Sequence, residues 1–177
     1  MLGRPDAPLT MVEFTDLQCP FCRQFHMTAF EEIKRNYIDT GKLRYFSRDY
    51  PIESLHPLAM LAARASSCAA DENKFWEMRH LILAGNERLR PESFAGFARE
   101  LKMAPTAFEA CSTNPAMHAE QIARDIAEAQ SLGISGTPSF VIGNTTATGV
   151  DGVLMVGAMP YAAFDAKLKS LLSAAGK

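Results

Sequence analysis

The first apolar run, Leu9 to Thr15 (Leu-Thr-Met-Val-Glu-Phe-Thr), is short and β-prone, and Asp16 ends it. Beyond Cys19 the period changes. Phe21, Phe25, Phe30, Ile33 and Tyr37 recur about one helical turn apart and predict a helix from Pro20 to about Asp39. Pro20 suits the first helical position, where its missing N–H loses no bond, and Gly41 stops the run. Lys42 to Tyr50, with Leu43, Tyr45 and Phe46 as its apolar residues, predicts a second strand. The chain therefore opens β-α-β, with Cys19 where strand passes into helix.

From Glu53 to about Gly133 the pattern is helical throughout. It predicts helices over 55–70, 73–83, 91–103, 105–111 and 115–132. In the last of these Ile122, Ile126 and Ala129 form the core stripe, Arg124 and Glu128 pair across a turn, and Gly133 is the stop. Strand character returns at 138–142 and 152–156, with Gly143 to Asp151 predicted as a polar hairpin loop. Pro160 then opens an amphipathic helix through Tyr161, Phe164, Leu168 and Leu171. The order β-α-β, helical block, β-β-α is that of an α/β protein carrying a helical insertion, without internal repeats.

Composition narrows this picture. A chain of 177 residues fits one domain with an insertion, and 47% apolar with 21% charged residues is a globular composition. Eighteen basic against twenty acidic residues give a net charge of −2, which argues against broad electrostatic binding to nucleic acid or an anionic membrane. The one long uncharged stretch, Gln130 to Val150, is broken by four glycines and a proline and is not a membrane span. The first residues, Met1 to Asp6, lack the apolar core of a signal peptide.

The candidate chemistry lies at Cys19-Pro20-Phe21-Cys22. A Cys-x-x-Cys pair is a redox dithiol, half of a metal site, or an accident, and a zinc site ordinarily needs a second close pair that this chain lacks. Placement favours redox. At a helix N-terminus the unpaired N–H groups and the macrodipole stabilise a thiolate, drawing its pKa below the ordinary value of about 8.5. One turn on, Cys22 is near enough to close a disulfide. Glu13, six residues before Cys19 and flanked by Val12 and Phe14, is an ionisable group in a strand expected to be buried. Burial would raise its pKa and suit it to carry a proton; an edge strand would leave it in solvent. Gly136-Thr137-Pro138 opens the third strand, where a cis peptide would be a functional feature and a trans one an ordinary loop.

Glu13-Phe14-Thr15-Asp16-Leu17-Gln18-Cys19-Pro20-Phe21-Cys22, with Gly136-Thr137-Pro138-Ser139-Phe140 far downstream, resembles the DsbA-type thiol:disulfide oxidoreductases of the thioredoxin superfamily. The likeness extends through Lys74-Phe75-Trp76-Glu77-Met78 and Val156-Gly157-Ala158, and so covers nearly the whole chain. It implies a thioredoxin fold over residues 1–52 and 134–177, with an inserted helical domain over 53–133. It implies that Cys19 is the exposed nucleophile, Cys22 the buried resolving cysteine and Glu13 the buried acid. Pro20 and Phe21 support the site, the Thr137–Pro138 bond is cis, and the Thr137 backbone pairs with a substrate strand.

The expected partners are thiol- or disulfide-containing protein substrates and a membrane redox partner protein, with no nucleic acid and no cofactor or metal. The expected location is the bacterial periplasm, the signal peptide being absent from this chain. One departure bears on direction. Strongly oxidising members carry His between the cysteines, whereas Phe21 adds apolar surface and no stabilisation of the thiolate. Dithiol oxidase is the leading reading; disulfide isomerase or reductase, and a thiolate module for zinc or copper(I), are the alternatives.

Cys68 and Cys111 both fall in the helical block, as a structural disulfide, two buried thiols or a second redox pair. In an oxidising compartment the structural disulfide is preferred. His26 reads as surface one turn beyond Cys22, and His56, His80 and His118 have no ligand spacing to one another. Asp16 is either a turn residue or a charge acting on Cys19.

Overall fold

The computed structural model describes residues 1–175. Its elements are β1 (Leu9–Thr15), α1 (Pro20–Met27), α2 (Ala29–Ile33), a π-helical turn (Lys34–Ile38), β2 (Leu43–Asp49), α3 (Ala59–Ala70) and α4 (Phe75–Ala84). A 3-10 turn (Asn86–Arg88), α5 (Pro91–Glu100), α6 (Pro105–Thr113), α7 (Ala119–Ser131), β3 (Ser139–Thr146), β4 (Gly149–Val156) and α8 (Tyr161–Ala175) complete it. The chain divides into two compact units.

The first unit comprises Met1–Thr15, Gln24–Arg48 and the chain from Gly136 onward. Its sheet has the order β2-β1-β3-β4, so β1 is an interior strand and nearly every residue in it is buried. The antiparallel β1–β3 register sets Glu13 opposite Phe140 and Phe14 opposite Ser139. Phe25 of α1 lies 4.5 Å from Phe140 and 5.4 Å from Phe164 of α8 (ring centroids), which ties both helices to the sheet. The Tyr37 hydroxyl donates to Asp165 at 2.6 Å. Burial, with that carboxylate beside it, pushes the Tyr37 phenol upward.

Two departures from the expected elements have local causes. The predicted helix from Pro20 to Asp39 breaks at Thr28, whose hydroxyl donates to the Gln24 carbonyl at 2.6 Å and competes with the helical ladder. The predicted hairpin loop at Gly143–Asp151 is mostly strand. Gly143 faces Gly152 across the ladder, and a Cβ on Gly143 would sit 1.9 Å from the Asp151 carbonyl oxygen. Gly143, read as loop, and Gly152, read as the start of the next strand, are what let the two backbones approach.

The second unit comprises Asp16–Arg23 and Asp49–Ser135. The segment Asp16–Arg23, assigned from sequence to the thioredoxin-like part, thus groups with the helices. Helix α3 is the centre of this unit and packs on α4, α5, α6 and α7. Its Ala59, Ala62, Ala63, Ala65 and Ala69 are all buried, and small side chains let four neighbours come close. It starts at Ala59 rather than Leu55 because Pro57 disfavours helical geometry at His56. Helix α7 starts at Ala119 because His118 is left-handed, with φ 56°. Arg79 of α4 donates to Asp49 at 2.7 Å and to Ser66 at 3.2 Å, an ion pair buried within the unit.

Candidate active site

Cys19 caps α1: it immediately precedes Pro20, and Cys22 is the third helical residue. The turn before it is over-determined by hydrogen bonds. The Cys19 N–H donates to the Asp16 carbonyl at 3.0 Å, and the Gln18 N–H to Asp16 Oδ1 at 2.8 Å. The second pair is an Asx turn, which is how Asp16 ends β1 and re-aims the chain. Asp16 Oδ2 also takes the Ile52 N–H at 2.8 Å and lies 2.9 Å from His56 Nδ1. Gln18 Oε1 accepts the Leu58 N–H at 2.6 Å. From the other side the Asn86 amide donates to the carbonyls of Leu17 at 3.0 Å and Cys19 at 3.4 Å.

Both cysteines belong to the core of the second unit, with Leu17, Ala62, Met78 and Ile82. Cys19 is 4% exposed and Cys22 0%. Cys19 is therefore not the exposed nucleophile expected from the resemblance; the residue at the surface is Phe21, 60% exposed. The cause is the turn, which seats Leu17 and Cys19 inward and turns the next helical residues out. Arg23 lies 3.4 Å from Glu87 in a partly exposed pair of small energetic weight.

In the first unit Glu13 is 5% exposed, which removes the edge-strand reading. Its Oε2 accepts hydrogen bonds from the Tyr45 hydroxyl and from Ser47 Oγ, the latter at 3.2 Å, both on β2. The Thr137–Pro138 peptide is cis. Its flanks are bonded on both sides: Ser139 Oγ donates to the Gly136 carbonyl at 2.7 Å, and the Gly157 N–H to the Pro138 carbonyl at 2.8 Å.

Cys68 of α3 and Cys111 of α6 form a disulfide. Asp16 is a turn residue and a latch for His56. His26 stacks on Phe30 with centroids 4.9 Å apart. Sequence reasoning missed Asn86, Tyr45 and Ser47. Tyr45 and Ser47 share a strand face with period 2 and so had a weak signal, whereas Asn86, in a turn 67 residues beyond Cys19, had none.

A protein-family model described as Thioredoxin matches residues 1–152. Among solved structures, alpha-DsbA1 of Wolbachia pipientis superposes with a TM-score of 0.85 at 26% identity, covering 98% of this chain and 90% of that one. DsbA2 of Pseudomonas aeruginosa does so with a TM-score of 0.76 at 26% identity, covering 96% and 92%. Among curated proteins, Na(+)/H(+) antiporter NhaA 3 of Salinispora tropica is 32% identical over 162 residues, 92% of this chain and 24% of that protein. The chain spans about a quarter of the length of the curated relatives it matches. A cysteine pair opening a helix after the buried strand β1, a cis-proline before β3 and a family match over most of the length agree: the chain belongs to the thioredoxin family, with a DsbA-type fold.

Proposed function

We propose that the chain is a protein thiol–disulfide oxidoreductase that works as a dithiol oxidase on exported proteins in a bacterial periplasm, re-oxidised by a membrane redox partner. The observation that carries this reading is Cys19 at the cap of α1 with Cys22 one turn inside, held by Asp16, Gln18 and Asn86. A thiolate at Cys19 meets the N–H groups and positive end of the helix. That stabilisation makes Cys19 a good leaving group and makes its disulfide oxidising.

In the oxidase direction a substrate thiolate attacks Cys19 Sγ of the Cys19–Cys22 disulfide. A substrate–Cys19 bond forms, the Cys19–Cys22 bond breaks, and Cys22 leaves as a thiolate that takes up a proton. A second substrate thiolate then attacks the substrate sulfur and releases Cys19 as thiolate. Two electrons pass from substrate to enzyme. The resemblance assigns Glu13 to proton exchange with Cys22 and the Thr137 backbone to pairing with substrate. The burial of Glu13 with two hydroxyl donors and the cis bond at Pro138 support those roles. Phe21 offers an apolar contact for unfolded substrates. The antiporter name belongs to proteins about four times as long, and no helix among the described residues is long and apolar enough to cross a membrane.

Oxidation of a reduced dithiol peptide by the purified oxidised protein tests the reading. Cys19→Ser abolishes it, and Cys22→Ser, offered a disulfide-bonded peptide instead, accumulates the mixed disulfide as the Cys19 thiolate attacks and one peptide thiolate leaves, seen by mass spectrometry. Exchange retained by Cys19→Ser defeats the assignment. A reduction potential near −120 mV supports the oxidase direction, and one below about −200 mV moves the assignment to isomerase or reductase.

A further inference from the structure

We propose that reduction of the Cys68–Cys111 disulfide opens a zinc site in the helical unit, with the two thiolates and His118 as ligands. Asp71 orients the imidazole. The site does not involve Cys19 or Cys22. The sulfurs of Cys68 and Cys111 and a ring nitrogen of His118 all lie within 4.8 Å of one another. They arrive from three places: the last turn of α3, the last turn of α6, and the residue before α7. Linear spacing concealed this, since a fold and not a motif joins the third ligand to the pair.

Asp71 supplies an independent observation. His118 Nε2 lies 3.0 Å from Asp71 Oδ2. An ionised carboxylate only accepts, so Nε2 donates in this bond, and in the neutral imidazole Nδ1 is then the nitrogen that offers a lone pair to a metal. A carboxylate holding the far nitrogen of an imidazole is the arrangement that metal-ligating histidines use. The backbone contributes as well. His118 sits at φ 56°, ψ 9°, a left-handed conformation that histidine adopts more readily than most side chains, and this sets the start of α7 beside the disulfide.

The geometry suits zinc. Tetrahedral zinc, with Zn–S about 2.3 Å and Zn–N about 2.0–2.1 Å, sets its ligand atoms roughly 3.5–3.8 Å apart. The Cα atoms of Cys68 and Cys111 are 6.0 Å apart, so side-chain rotation alone separates the sulfurs by that amount once the bond is cut. Two thiolates and an imidazole select zinc over the hard cations magnesium and calcium. Cys111 and His118 are half-buried, which leaves an approach for the ion and room for water in the fourth position. A protein dithiol is the reductant: its two thiols become a disulfide while Cys68–Cys111 becomes two thiols. Zinc then displaces one proton from each. Exchange with a protein disulfide reverses both steps and releases the ion.

The test uses the full chain carrying Cys19→Ser and Cys22→Ser, so that only one cysteine pair remains and the result is independent of the proposed exchange activity. The protein is reduced with a phosphine, desalted without oxygen, and titrated with zinc and with cobalt. The expected result is about one equivalent of zinc and a tetrahedral cobalt–thiolate spectrum. Asp71→Asn should weaken binding roughly 10–100-fold, and His118→Ala at least as much. Both side chains are partly exposed, and far-UV circular dichroism of each variant checks that it is folded. Three outcomes overturn the proposal: no zinc above the level bound by Cys68→Ala/Cys111→Ala, an affinity indifferent to His118→Ala, or equal binding by the disulfide form.

Discussion

Removing the Cys68–Cys111 bridge isolates how much of this chain's stability comes from restricting its unfolded state. The bridge spans 43 residues, enclosing α4, α5 and most of α6. In the chain-entropy relation a loop of that length lowers the unfolded-state entropy by about 13 cal/mol/K, or about 4 kcal/mol at 25 °C. Domains of ordinary stability have only about 5–15 kcal/mol in total, so the loss is a large fraction. For a chain of this size it corresponds to a fall of roughly 8–16 °C in Tm. The change to make is Cys68→Ala with Cys111→Ala, because Cys68 is buried and a serine hydroxyl there would add a cost of its own. Urea denaturation of oxidised protein and double variant, followed by far-UV circular dichroism, reads the outcome. The midpoint should fall and the slope m should rise, since an uncrosslinked unfolded chain exposes more surface. A loss under about 1 kcal/mol refutes the magnitude. A full loss at unchanged m refutes the mechanism, placing the effect in the folded state instead.

Arg79→Met leaves the buried Asp49 carboxylate without the guanidinium 2.7 Å away and should cost about 3–5 kcal/mol, while adding Asp49→Asn should recover much of it; urea midpoints of the two variants decide. Phe21→His adds a donor beside the Cys19 thiolate and should raise the reduction potential by about 30 mV for each 1.4 kcal/mol gained, measured by equilibration with glutathione; no rise rejects the role given to Phe21. Asp165 is held below the ordinary carboxylate range by Lys169 and then by the Tyr37 hydroxyl. A carboxyl lowered in the folded state stabilises above its unfolded pKa of about 3.9, and that stability is lost as pH falls through the folded value. The Tm gap between wild type and Asp165→Asn should therefore be constant above about pH 5 and close in acid; a gap that widens in acid contradicts the sign.

Much of the architecture was legible in the order of residues because burial leaves a period. The change from the short β-prone run of β1 to the one-turn spacing of Phe21, Phe25 and Phe30 located the strand–helix junction, and with it Cys19. Proline and glycine marked boundaries wherever their effect was local, as at Pro20 and Pro91. They misled where a neighbouring strand set the conformation: Gly143 and Gly149 read as loop and are paired strand.

What the chain determined by itself was chemistry carried by near neighbours: a dithiol one helical turn across, a cap that begins that helix, and an acid on the strand before it. Only the folded structure decided what surrounds them. It put Asn86 over the Cys19 turn, Tyr45 and Ser47 on Glu13, and His118 beside a disulfide whose halves lie far apart in sequence. It also turned Phe21 outward and Cys19 inward. The physical reason is that a helix or a turn is specified by interactions within a few residues. The partner of a buried polar group is chosen by whichever distant segment completes its hydrogen bonds, and no local pattern records that choice.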